Sequence, residues 1–423
     1  MTSELSSFAT RLREFIAASV PVAADARRLD SKSEHGMQFD QPKPEPPHVG
    51  GYAEKFNRLA LELFNLQFAN NSAYRIICEA RRTTPLTVSH WAQIPAVPTA
   101  AFKELELSCL PPAERTRVFH SSGTTAQRSS RHFHNAESLA VYESSLWPWF
   151  AAHVAADVRR LNSSTAGLAS GMAVDQSLLT SAATFRIVVL TPPPAQAPNS
   201  SLVHMFDFVR QQLGAEASAF VGEVGVDGVW TVNLDAVLAA LAPADSRPLL
   251  VLGTAFSFVN LLDEMSAQSV RLQLPSNSRV LETGGYKGRS RELPQAELHA
   301  LITERFGVPA SHIVCEYGMS ELSSQAYDSE RRRAEAGGRK VTGVFRFPPW
   351  ARVQIISPET GWEVGEGETG LVRVFDLANV FSVLALQTED LAVRRGDGFE
   401  LLGRAPRAEP RGCSLMTMES SAA

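Results

Sequence analysis

Arg279-Val-Leu281, Gly284-Gly285, the run from Leu293 to Phe306, and His312-Ile-Val-Cys315 leading into Glu316-Tyr-Gly-Met-Ser-Glu321 form the stretch on which the fold turns. Two short apolar runs bracket a segment with helical spacing, and a glycine pair follows the first run. That is strand, turn, helix, strand. Upstream, Pro248-Leu-Leu-Val-Leu252 is a similar buried-strand pattern, followed by Gly253 and helical spacing through Phe258, Leu261, Leu262 and Met265. Phe185-Arg-Ile-Val-Val-Leu190 is another, closed by Pro192-Pro-Pro194. Strands alternating with helices of this length predict an α/β fold with sheets covered on both faces.

Beyond about Gly343 the pattern changes. Arg352-Val-Gln-Ile-Ile356, Gly370-Leu-Val-Arg-Val374 and Phe399-Glu-Leu-Leu402 are short strands separated by Gly-, Pro- and Asp-rich turns, which predicts a small β-rich subdomain. Toward the N-terminus, residues Ser6 to Val20 have helical periodicity. The polar, Pro-rich stretch from Asp30 to Gly50 reads as an exposed connection. Apolar residues at helical spacing (Phe56, Leu59, Leu63, Leu66) predict packed helices from Tyr52 to Ala80, and Trp91 to Lys103 reads as extended chain. The organisation expected is residues 1–50 as helix and connection, 51–342 as α/β core, and 343–423 as β-rich subdomain with a short C-terminal tail.

With 423 residues the chain has room for two or three domains at roughly 150 residues each. A hydrophobic fraction of 44% and a charged fraction of 20% are those of a folded protein. The formal net charge of -5 argues against a polyanion binder, and Arg331-Arg-Arg333 is too short a basic run to reverse that, so no nucleic-acid partner is expected. The four cysteines (Cys78, Cys109, Cys315, Cys413) include no CxxC pair. Neither a structural zinc site nor a disulfide framework is expected, and a reducing compartment fits. No signal-like start and no apolar run near the ~18 residues of a membrane span is present, so a cytoplasmic protein without integral membrane association is expected.

Phe119-His-Ser-Ser-Gly-Thr-Thr125 is a loop of small hydroxylated residues around a glycine, suited to wrapping an oligophosphate with backbone amides and hydroxyls. It is not a Walker A loop, because no Gly-Lys-Ser/Thr follows at the required spacing. Glu316–Glu321 ends a predicted strand, where α/β ligand sites lie. Thr388-Glu-Asp-Leu391 and Gly403-Arg404 follow in the β-rich part. Taken singly, Glu321 and Asp390 read more readily as surface or turn acids.

In that order, these elements resemble the adenylate-forming superfamily of acyl-CoA synthetases, peptide-synthetase adenylation domains and luciferases, from about Val97 to Leu415. The resemblance implies the N-terminal-type fold of those enzymes, with sheets flanked by helices, and makes residues 51–342 the adenylation core. It implies ATP and Mg²⁺. By it, Ser121, Ser122, Gly123, Thr124 and Thr125 match the phosphate loop, and Gly284, Gly285 and Tyr286 the loop near the adenine. Tyr317, Gly318, Ser320 and Glu321 match the motif whose hydroxyl contacts the α-phosphate and whose glutamate serves Mg²⁺. Asp390 matches the ribose-binding aspartate and Arg404 the arginine beside it. The chemistry agrees, since a carboxylate meeting an α-phosphate needs a cation and fixed donors to offset repulsion.

Two departures stand out. Ala126-Gln127-Arg128 replaces the usual glycine, proline and lysine, leaving Arg128 as a candidate substitute, and the chain ends 19 residues after Arg404. The second implies that the full mobile C-terminal domain of the synthetases is lacking. The match sharpens on the acyl-protein synthetases of the bacterial bioluminescence fatty-acid reductase system. Val97-Pro-Thr-Ala-Ala-Phe-Lys103, Asn199-Ser-Ser-Leu-Val-His-Met205, Thr283-Gly-Gly-Tyr-Lys287, Gln387-Thr-Glu-Asp-Leu391 and Gly403 to Leu415 all resemble that family. It passes an acyl group from the adenylate to a C-terminal cysteine and on to a partner protein, which implies Cys413 as acceptor. A thiolate is a strong nucleophile, and Arg404, Arg407 and Arg411 nearby could lower its pKa.

Lys287, after the glycine pair, is a further catalytic candidate; His204 and Phe256 are candidates for lining the acyl site. Cys315 reads as core, and His132 with His134 as a strand pair lacking a third metal ligand. The function expected is ATP-dependent activation of a carboxylic acid, a fatty acid by the resemblance, followed by acyl transfer to Cys413 and then to a reductase or carrier protein. The alternatives are direct loading of CoA or a carrier protein, and a non-catalytic accessory subunit that binds nucleotide or acyl groups.

Overall fold

The computed structural model describes residues 3–30, 47–121, 128–154, 185–214, 218–226, 228–242, 246–285, 290–328 and 343–405. Helices α1 (Ser3–Asp30), α2 (Pro47–Asn70) and α3 (Ser72–Ala80) come first. α1 runs past Val20 and through Pro21, whose fixed φ is compatible with a helix at the loss of one donor. α2 begins at Pro47, within the stretch expected to be connection; proline suits a first helical position. Residues 31–46 lie outside the described residues. The segment read as extended instead holds a 3-10 turn at Trp91–Gln93, set by a capping box between His90 and Gln93, then β1 (Val97–Pro98) and α4 (Ala101–Glu104).

A hairpin of β2 (Arg117–His120) and β3 (Arg131–His134) leads into α5 (Ala136–Val154). There follow β4 (Arg186–Val189), α6 (Ser201–Gln212), β5 (Ser218–Phe220), β6 (Gly222–Val224), β7 (Trp230–Val232) and α7 (Leu234–Leu241). Next come β8 (Leu249–Thr254), α8 (Ala255–Ala267), β9 (Arg279–Thr283), α9 (Gln295–Phe306), β10 (Ile313–Tyr317) and β11 (Ala326–Tyr327). The last part is β12 (Val344–Phe345), β13 (Ala351–Ile356), β14 (Thr369–Asp376), β15 (Ala385–Arg395) and β16 (Gly398–Arg404).

One sheet has the order β11-β10-β9-β8-β4-β5, parallel except for β11. Every residue of β8 is buried, as expected of a parallel strand covered on both faces. Leu252 and Leu281 face a core shared with α1, α2 and α5; Val251 and Val280 face one shared with α8 and α9. The other sheet, β12-β16-β15-β14-β13, is antiparallel, with β1 added in parallel to β15. The loop between β14 and β15 is tied to α2 and to the segment after α4 by buried bonds. Gln67 Nε2 donates to the Asn379 carbonyl (2.8 Å), Gln67 Oε1 accepts from Leu384 N (2.9 Å), and Ser382 Oγ donates to the Leu107 carbonyl (2.8 Å). Among the described residues no helix is long and apolar enough to cross a membrane.

Candidate active site

Strands β8, β9 and β10 run parallel, so their C-terminal ends share one edge, where ligands of open α/β sheets bind. The register pairs Thr254 with Thr283 and Thr283 with Glu316, which puts Gly284 and Tyr317 side by side at that edge. Gly284 has φ +72°, a left-handed conformation that glycine takes without penalty, and a β carbon there would meet no atom of the described residues within 4 Å. Among the described residues, open space therefore borders the end of β9.

Tyr317 reaches across to the antiparallel sheet. Its hydroxyl donates to Asp390 Oδ2 at 2.8 Å, and its ring stands edge-on to Phe345, Phe347 and Phe399. Asp390 on β15 is the register partner of Arg404 on β16, and Arg404 Nε lies 3.7 Å from Asp390 Oδ1. Burial pushes the Asp390 carboxyl up, while the Tyr317 hydrogen bond and the Arg404 charge pull it back. Tyr317, Asp390 and Arg404, far apart in sequence, thus meet at the seam between the sheets.

The loop after β10 is held rigidly. A β carbon on Gly318 would collide with the Glu316 carboxylate, which accepts a hydrogen bond from the Thr283 hydroxyl. Burial pushes the Glu316 carboxyl up to about 7. Ser320 and Glu321 are both buried, and Ser320 Oγ donates to Glu321 Oε2 at 3.1 Å. Asp376 anchors the following residues: its Oδ2 accepts from Ser323 N (2.9 Å) and Ser324 N (2.8 Å), its Oδ1 from Ser324 Oγ (2.7 Å) and Ala378 N (2.9 Å). Asn379 Nδ2 donates to the Glu321 carbonyl at 2.9 Å. Glu316, Asp376 and Asn379 were not among the sequence candidates. A charge inside the apolar run Ile313–Tyr317 was a usable signal for Glu316; nothing in Phe375-Asp-Leu-Ala-Asn379 distinguished the other two.

The hairpin of β2 and β3 packs against the same loop through β3. Ser121 Oγ accepts from Ser130 N at 3.0 Å, and buried His132 donates from Nδ1 to the Ser320 carbonyl at 2.8 Å. Burial lowers the His132 pKa to about 4, so the ring is neutral near pH 7. Ser122, Gly123, Thr124, Thr125, Tyr286, Lys287 and Cys413 lie outside the described residues. Gly285, like Gly284, would meet no atom of the described residues with an added β carbon. Arg128 lies at the hairpin, 3.5 Å from Glu104 Oε2 in an exposed pair.

His204 stands on α6 behind this hairpin, with its ring against Phe119 and Tyr142 and Nε2 3.2 Å from Glu143 Oε1. Phe256 is buried in the first turn of α8, its ring 6.4 Å from that of Trp230. Cys78, Cys109 and Cys315 are free and buried, and burial raises the pKa of each thiol. None of the three is therefore a ready nucleophile.

Residues 232–421 match the family described as acyl-protein synthetase, LuxE. The stretch includes Tyr317, Glu321, Asp390 and Arg404. A long-chain-fatty-acid–luciferin-component ligase of Aliivibrio fischeri is 20% identical over 180 residues, which cover 40% of this chain and 45% of that relative. The match thus spans less than half the length of the curated relative. Among solved structures, a 2-hydroxyisobutyryl-CoA ligase in the postadenylation state with 2-HIB-AMP superposes with TM-score 0.57 at 12% identity, over 88% of this chain and 73% of that one. An open conformation of the ligase with 2-HIB-AMP and CoA gives TM-score 0.56 at 11% identity, over 88% and 81%. The chain shares its α/β fold with that CoA ligase.

Proposed function

We propose that this chain is an acid–thiol ligase that activates a carboxylic acid, a fatty acid in our reading, with ATP and delivers the acyl group to a protein thiol. In the first step a carboxylate oxygen attacks the α-phosphorus, the bond to the bridging oxygen breaks, and pyrophosphate leaves. In the second a thiolate attacks the acyl carbon and AMP leaves. The observation that carries this reading is the meeting of Tyr317, Asp390 and Arg404 at the seam, beside the open space at Gly284. A carboxylate fixed by a phenol and flanked by a guanidinium is suited to gripping a vicinal diol such as ribose.

The other roles follow from the resemblance. Ser121 to Thr125, after β2, would hold phosphate oxygens, and His132 ties β3 to the Ser320 carbonyl. Gly284, Gly285 and Tyr286 would border the adenine, and Gly318 leaves room for the buried Glu316. Among the described residues Glu321 is a buried carboxylate with a hydroxyl on it and no cationic side chain, an arrangement that fits Mg²⁺ as a hard cation. Bound there, Mg²⁺ would offset the repulsion between carboxylate and phosphate. Lys287 would reach the reacting oxygens, and His204 and Phe256 would line the acyl site. Cys413 would receive the acyl group and pass it to a reductase or carrier protein. The setting is taken as cytoplasmic, where free thiols persist.

ATP–pyrophosphate exchange over a panel of carboxylic acids tests the activation step; absence of exchange with every acid overturns it in favour of a non-catalytic accessory subunit. Incubation with ATP and labelled acid should leave a hydroxylamine-sensitive label on the chain. Cys413→Ser should abolish that label while sparing exchange. A Cys413→Ser variant that still loads CoA or a carrier protein at the normal rate would place the acceptor outside this chain.

A further inference from the structure

We propose that Glu282, His299 and Cys315 form a structural site for a divalent transition metal of zinc's class, separate from the candidate active site. Glu282 on β9 and Cys315 on β10 are register partners on adjacent parallel strands, so their side chains leave the same face of the sheet. His299 reaches that face from α9. All three residues are buried, at 7%, 1% and 2% exposure for Glu282, His299 and Cys315.

Their donor atoms converge. Cys315 Sγ lies 2.9 Å from Glu282 Oε2 and 3.4 Å from His299 Nε2, and His299 Nε2 lies 3.6 Å from Glu282 Oε2. A nucleophilic relay would use the two ring nitrogens of histidine on opposite sides. Here sulfur and carboxylate gather at the same nitrogen, which is the geometry of ligands around a common centre. Tetrahedral zinc bonds would separate such atoms by roughly 3.4–3.6 Å. Two of the three separations already comply, and rotation of the Glu282 carboxylate by about 0.7 Å would bring the third into line.

Gln295 lies one turn before His299 on α9, and its side-chain amide touches Cys315 Sγ at 2.7 Å through Nε2. Turning the amide end for end offers an oxygen as fourth ligand. One thiolate and one carboxylate neutralise a divalent charge, which removes the cost of burying either anion alone. The mixed sulfur, nitrogen and oxygen set suits zinc-class ions and not Mg²⁺. The ion would pin α9 to the two strands that end at Gly284 and Tyr317. The ligands come from three elements without a CxxC pair, so the spacing rules that argued against zinc in the sequence had nothing to register.

The test is metal analysis of the full chain, purified without a polyhistidine tag and desalted, which should carry about one equivalent of zinc. Cobalt substitution should produce a thiolate-to-cobalt charge-transfer band, and chelation should lower the thermal midpoint by several degrees. Cys315→Ser and His299→Ala should each lose the metal, whereas Glu321→Gln should keep it. A folded wild-type chain without metal overturns the proposal, as does metal retained in folded Cys315→Ser or His299→Ala. If those variants fail to fold, the cobalt spectrum of the wild-type chain decides, and a spectrum lacking the thiolate band overturns the site.

Discussion

The two six-stranded sheets contribute to the candidate site in opposite ways. In the parallel sheet β8, β9 and β10 are buried along their length, and site residues appear where the strands stop: Gly284 after β9, Tyr317 at the end of β10. In the antiparallel sheet β15 carries buried and accessible positions along its length, and its site residue Asp390 lies within the strand, paired with Arg404 beside it. A strand covered on both faces has no accessible face from which to present chemistry, so it works at its end. A strand with one accessible face can present a side chain partway along. The site lies where an end of the first kind meets a face of the second.

The comparison breaks most directly at the anchor between the sheets. Asp376→Ala strands four buried donors and should destabilise the chain by about 3 kcal/mol or more, read by urea denaturation. A loss below about 0.5 kcal/mol, the range of ordinary surface changes, would show that the sheets are joined by other means.

Glu316 tests the parallel side through pH. Its carboxyl is raised from 4.5 to about 7 in the folded chain. The protonated form is thus favoured by folding, and its contribution is full below pH 4.5 and lost as pH rises through about 7. The loss is on the order of 3 kcal/mol at most. Glu316→Gln should flatten the stability profile across that window; an unchanged profile in the variant would assign the slope to another group.

At the seam, Asp390→Asn should lower ATP–pyrophosphate exchange by roughly 10- to 100-fold, the value of a charged hydrogen bond. Tyr317→Phe removes only the hydroxyl that orients Asp390 and should lower exchange by up to about tenfold. Equal losses in the two variants would mean that Tyr317 acts on substrate directly. The smallest effect expected is on stability in Arg404→Ala, within about 0.5 kcal/mol, because the side chain is 83% exposed and its pair is long. A larger change would show that Arg404 holds the edge of the antiparallel sheet together.

Much of the framework was legible in the residues. Phe185–Leu190, Pro248–Leu252, Arg279–Leu281 and His312–Cys315 were read as strands because buried strands are short apolar runs, and each contains or overlaps an observed strand. Trp91–Lys103 was misread because a capping box between His90 and Gln93 outweighs the extended bias of two prolines. Tyr317, Asp390 and Arg404 were named from ordered motifs, and the structure brings those three together.

Sequence alone determined the order of strands and helices and the kinds of side chain at their ends, since periodicity and local motifs are properties of neighbouring residues. Tertiary structure decided what depends on contacts between distant segments. It placed β1 in the C-terminal sheet, set Asp376 beneath the loop that carries Glu321, and tied His132 to Ser320. It also set Cys315, in the core as its apolar run implied, beside Glu282 and His299. Strand register and helix packing fix those meetings, and neither is written in local spacing.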